Sequence, residues 1–289
     1  MSPRLQAVLL TLTAVAMWGL APVGTRYLLG TAFGGLPAAS FAGLRYGLTA
    51  LCFLPVALTR LPRWSRRDLA IGVGLGMLGV TGYNLANSMG MRTVSAGMSG
   101  LINAAEPLLI VLLVSLKELR LPRRATLGAA AVGMAGIGLL THTAGPADGT
   151  RAGMALCLFA ALCWSAYCVL VPPLLARRGA LGVASVTMVS GALPLLAVGS
   201  PTMLPMLHDM SRAQWQVTIA LTLGPTVVSI VAWNKGAARL GPEAAGWFLY
   251  LLPVIGVLGG AVQLGEPLSG VELAGGGLIL ASVFLAQRV

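Results

Sequence analysis

LQAVLLTLTAVAMWGLAPVGT (residues 5–25) and RAGMALCLFAALCWSAYCVLV (residues 151–171) are two long apolar stretches rich in small residues, each carrying one tryptophan at the same place. Trp18 and Trp164 lie 146 residues apart, and so do Pro107 and Pro253 in later apolar segments. An offset shared by unlike landmarks marks a duplicated half. If each half crosses a membrane an odd number of times, the second copy must enter it upside down relative to the first.

The composition puts the chain in a bilayer. It is 57% hydrophobic and 9% charged, with a mean hydropathy of +0.86, whereas soluble domains run at about 45–50% apolar and about 25% charged. At about 20 residues per crossing, the 289 residues accommodate ten spans with short links and leave no room for a water-soluble domain. The expected spans are 5–29, 36–58, 69–91, 94–116, 125–141, 152–175, 181–200, 213–237, 242–265 and 270–287. The fifth and seventh are short for spanning. The expected fold is therefore an all-α integral membrane protein of ten transmembrane helices, arranged as two inverted five-helix repeats, 1–145 and 146–289, around a central cavity. Small residues such as Gly72/Gly76 and Gly256/Gly260 let helix backbones approach closely. A signal-peptide reading of the first stretch fails, because the apolar run is too long and contains the duplicated Trp18.

A net charge of +11 could suggest nucleic acid, but its distribution points elsewhere. Fourteen basic residues, among them Arg60, Arg63, Arg66, Arg67, Arg177 and Arg178, fall on the N-terminal side of the expected spans, and four fall on the other. By the positive-inside rule both termini are expected in the cytoplasm, and the basic loops set topology without binding nucleic acid. The four cysteines, Cys52, Cys157, Cys163 and Cys168, lie in expected spans. They have neither a disulfide framework nor metal-ligand spacing. No cofactor and no metal are expected.

Polar groups inside spans are costly and mark an interior face, a partner or a path. Tyr83, Asn84 and Asn87 share one helical face in the third span, and Ser99, Asn103 and Glu106 share one in the fourth. Pro107 removes a backbone donor there and frees a carbonyl one turn earlier, at Asn103. Pro22, Pro107 and Pro253 are candidate helix breaks. Glu106 and Arg45 are the deep acid and the deep base. They either form a structural ion pair, or Glu106 handles a proton or a substrate ammonium. Thr222, Thr226, Ser229 and Trp233 form a stripe in the eighth span. Trp18, Trp164, Tyr167, Trp247 and Tyr250 either pack the core or line a cavity. His142 and His208 are expected in external loops. With no histidine in a span, no second deep carboxylate and no GxSxG or HExxH motif, no catalytic residue is assigned and an enzyme is not expected.

Met17-Trp18-Gly19 and Cys163-Trp164-Ser165, with a proline followed by a glutamate in the later span of each half (Pro107 and Glu118, Pro253 and Glu266), resemble the EamA-type branch of the drug/metabolite transporter superfamily. Within it the chain looks most like the YddG-type bacterial amino-acid exporters. The resemblance implies a monomeric, multi-pass inner-membrane carrier in contact with lipid, with alternating access to a central cavity. Its substrates would be amino acids, including aromatic and other apolar ones; the alternative is a permease for drugs or another metabolite. Glu106 before Pro107 departs from the apolar residue commoner at that place.

Overall fold

A computed structural model describes residues 2–29, 35–94, 99, 102–103, 105–120, 124–143, 150–264 and 270–287. Glu266, and the side chains of His142, Tyr250 and Pro253, lie outside the described residues. Among those described there is no strand, as expected where every backbone group must find its partner without water. The first half contains α1 (Pro3–Leu29), α2 (Ala38–Arg60), α3 (Arg66–Gly76), a π-helical segment (Met77–Gly82), α4 (Tyr83–Gly90), α5 (Glu106–Glu118) and α6 (Arg124–Thr143). The second contains α7 (Arg151–Leu170), α8 (Pro172–Arg178), α9 (Ala180–Asp209), α10 (Arg212–Leu221), a second π-helical segment (Thr222–Val228) and α11 (Ser229–Leu240). It closes with α12 (Pro242–Gly246), a 3-10 turn (Trp247–Tyr250), α13 (Leu251–Leu264) and α14 (Gly270–Gln287).

Among the described residues, six helices are long and apolar enough to cross a membrane: Pro3–Leu29, Ala38–Arg60, Arg66–Gly90, Arg151–Leu170, Ala180–Asp209 and Arg212–Leu240. The seventh expected span proves long, at 30 residues. Pro194, Pro201 and Pro205 lie inside this helix without ending it, and Pro22 likewise lies inside an unbroken α1. Pro22 is therefore not a break. Pro107 stands in the first turn of α5, where its missing N–H costs nothing. The extended α9 also takes His208 into its last turn, where its Nδ1 lies 3.1 Å from Asp209 Oδ1 and both side chains are exposed. It belongs neither to a loop nor to the interior.

Helices pack where glycine lets them touch. α2 lies along α9, α1 runs between α11 and α13, α7 runs between α4 and α5, and α6 pairs with α14. At Gly76 a Cβ would stand 2.6 Å from Thr187 O, and at Gly191 it would stand 2.6 Å from Gly76 O. Only bare backbone fits there. Gly76→Val should thus lower the melting temperature in detergent, the overpacking costing about 1–3 kcal/mol; an unshifted melt would show that α3 and α9 can separate freely.

One end of the bundle is clasped by charge. Ser65 Oγ caps α3 by accepting from Asp68 N, and Asp68, only 5% exposed, accepts from Arg177 Nε at 3.0 Å and Arg178 Nε at 2.7 Å. Arg178 also donates to Arg63 O. Arg177 and Arg178 thus join α8 to the start of α3 in addition to any effect on topology. Asp68→Ala is expected to lower the melting temperature, but by less than breaking a fully buried pair would, since both arginines are partly solvated. A detergent melt of that variant checks the shift.

Candidate substrate site

The site begins with a fault in a helix. Pro225 has no N–H to give the carbonyl four residues earlier, that of Leu221; Thr226 Oγ1 donates to Leu221 O instead, at 3.0 Å. The ladder widens to five-residue bonding across Thr222–Val228, and Ser229 N donates to Gly224 O. Such a bulge gives backbone carbonyls room to meet outside donors, and Trp18 Nε1 donates to Pro225 O at 2.6 Å. Gly79 sits in the other π segment, where a Cβ would come within 2.7 Å of the Tyr167 ring. Each bulge therefore receives an aromatic side chain from α1 or α7.

These rings form one cluster. Trp164 makes an edge contact with Trp18, their centroids 5.1 Å apart, and stacks on Tyr167 at 5.2 Å. Trp233 lies 5.3 Å from Trp18 and 6.0 Å from Trp164, and Tyr83 lies 6.0 Å from Trp164. Five aromatic residues from four stretches of chain thus meet at one point. Trp247 is half-buried in its 3-10 turn.

Polar groups surround the cluster. Tyr46 Oη donates to Asn84 Oδ1 at 2.8 Å, and Asn84 Nδ2 donates to Val80 O. Ser99 Oγ donates to Asn87 Oδ1 at 3.2 Å. Tyr167 Oη donates to Asn234 Oδ1 at 3.3 Å. Among the described residues, Asn103 Oδ1 and Asn234 Nδ2 are buried and without a hydrogen-bond partner, an uncommon state that calls for water or a ligand. Glu106, 2% exposed, opens α5, and its backbone carbonyl accepts from Ser165 Oγ. Of the two alternatives the sequence left for Glu106 and Arg45, the ion pair is not formed. Arg45 Nε donates to Thr226 Oγ1 at 3.0 Å, and the guanidinium carbon lies 5.6 Å from the Tyr46 ring centroid. Among the described residues no cation comes within salt-bridge distance of Glu106.

Sequence reasoning named Trp18, Tyr83, Trp164, Tyr167 and Trp233, which meet in the cluster, and also Asn84, Asn87, Asn103 and Glu106, of which Glu106 lies within electrostatic reach of Tyr83. It missed Tyr46, Pro225 and the pairing of Arg45 with Thr226. Pro225 carried a usable signal, being a proline in the middle of an apolar run 146 residues after Gly79.

A family model described as the EamA-like transporter family matches residues 5–142 and, a second time, residues 151–287. The chain belongs to the EamA-like transporter family. It is accordingly a membrane transporter of the drug/metabolite superfamily, and its relatives are transporters and not enzymes. A probable terminal-alkyne amino-acid exporter of Streptantibioticus cattleyicolor is 29% identical over 88% of this chain and 86% of its own length. An uncharacterized transporter of Archaeoglobus fulgidus is 24% identical over 97% of this chain and 98% of its own. The uncharacterized inner membrane transporter YedA of Escherichia coli is 25% identical over 86% and 81%. A solved crystal structure superposes with a TM-score of 0.69 over 98% of this chain and 97% of that one, at 22% identity, a likeness of fold alone.

Proposed function

We propose that this EamA-family chain exports amino acids, including aromatic and other apolar ones, by alternating access of two halves around a central site. The observation that carries the reading is the convergence of Trp18, Trp164, Tyr167 and Trp233 beside Glu106, a buried acid that no described cation neutralises. An aromatic wall suits an apolar side chain, and an unpaired carboxylate suits the ammonium group that every free amino acid carries. The similarity to a probable amino-acid exporter agrees with this chemistry.

The architecture we infer is ten spans in two halves, 1–145 and 146–289, inserted in opposite senses, with both termini in the cytoplasm of a bacterium and the chain working as a monomer in its inner membrane. The family model matches each half separately. The π segments start at Met77 and Thr222, 145 residues apart. Exchanging the halves turns the α1–α11 contact into α7–α4, turns α1–α13 into α7–α5, and maps α2–α9 and α6–α14 onto themselves. The correspondence reaches single residues. A Cβ on Gly90 would meet Gly153 and Cys157, while one on Gly236 would meet Ala7 and Thr11, every number shifted by 146. An odd number of crossings per half makes the symmetry axis lie in the membrane plane, the plan of alternating-access carriers.

Purified protein in liposomes, given a panel of amino acids and other solutes with and without an imposed pH gradient, tests the reading. Saturable acceleration of amino-acid flux is expected. Acceleration of drugs or other metabolites alone would turn the assignment to the permease reading.

A further inference from the structure

Among the described residues, Arg45 is a charge with no counter-charge at salt-bridge distance. Seven residues beyond Ala38, it lies about 10 Å along α2 at 1.5 Å per residue. It reaches Thr226 in the second π segment, so it points across the bundle and not toward the nearer helix end. Among the described residues no carboxylate comes within salt-bridge distance of it, and it is half-buried, not sealed. A cation held this way inside a membrane bundle is expensive and marks a water-filled path or a ligand.

Its fixation is as informative as its charge. With Nε engaged on Thr226 and the guanidinium carbon beside the Tyr46 ring, the plane of the group is set, and Tyr46 is itself anchored to Asn84. The terminal nitrogens are left as a planar fork, the geometry that matches a carboxylate with two parallel hydrogen bonds. Tyr83 lies within electrostatic reach of both Arg45 and Glu106, so the two opposite charges share the neighbourhood of one ring of the aromatic cluster. A ligand carrying one group of each sign would satisfy both without adding net charge to the membrane interior.

Resting on the reading of this chain as an amino-acid carrier, we infer that Arg45 binds the substrate α-carboxylate through its two terminal nitrogens, opposite Glu106 at the ammonium. Arg45 would then be the group that separates amino acids from the corresponding amines. A mere strut between α2 and the second π segment would stabilise the fold and show no such preference.

The test uses the full-length protein in liposomes, with the amino acid that wild type carries fastest and the amine that lacks only its carboxylate. Wild type should favour the amino acid at least tenfold. Arg45→Met should lower amino-acid flux at least tenfold and bring the ratio of the two substrates close to one, while Arg45→Lys should keep part of the preference. A ratio unchanged in Arg45→Met would overturn the inference, as would amino-acid flux unchanged in that variant. Should Arg45→Met fail to fold, competition in wild type decides, for an amine that inhibits as strongly as the amino acid rules out a carboxylate site. Wild type that carries no amino acid would sink the transport reading and this inference together, whereas wild type that does so with an indifferent Arg45 would sink only the latter.

Discussion

Glu106→Gln should leave the protein at least as heat-stable as wild type and cut amino-acid flux tenfold or more. Glu106 is 2% exposed and has no described cation at salt-bridge distance. A buried acid without a partner cation is costly whenever it ionises, and glutamine keeps the shape while removing the ionisable group. Structural groups lose stability when replaced, whereas binding groups lose function and often gain stability. Melting in detergent and flux in liposomes therefore separate the two roles. Flux within twofold of wild type would dismiss Glu106 as the ammonium site.

Trp164→Ala should cost about 3–5 kcal/mol, the range for deleting a large buried aromatic, and should abolish measurable amino-acid flux. Trp164 is 9% exposed and touches the rings of Trp18, Tyr83, Tyr167 and Trp233. Between helices in lipid, dispersion contacts of this kind supply the association that hydrophobicity supplies in water. Trp164→Phe keeps part of that contact and should recover most of the stability. If it also recovers full flux, the indole is packing and not a recognition surface.

Much of this arrangement was readable from the residues. The 146-residue offset between Trp18 and Trp164 pointed to a duplicated plan because a repeat shows as a constant offset, and the spacing of Tyr83, Asn84 and Asn87 pointed to one shared face because that depends only on helical periodicity. Helix ends were less legible. The seventh span was expected at 181–200, yet the helix continues to Asp209, with Pro201 and Pro205 inside it and neither ending it. The supposed ion pair of Arg45 and Glu106 failed for a different reason. Depth along a span is legible from residue counts, but which neighbour a side chain meets across the bundle depends on how the helices pack, and Arg45 on α2 meets the second π segment at Thr226. Asp68 gave no repeat signal at all, and its grip on Arg177 and Arg178 emerges only once α8 folds back.

Each π segment acts as one residue inserted into an α-helix, so it turns everything beyond it by roughly 100° about the axis. Deleting one residue from Thr222–Val228 would restore α phase and rotate Trp233 and Asn234 out of the aromatic cluster without altering either side chain. The same deletion in Met77–Gly82 would carry Asn84 away from Tyr46. Azimuth is thus encoded here by a count of residues, and two lineages with the same polar groups could present different walls to a solute through a single codon gained or lost.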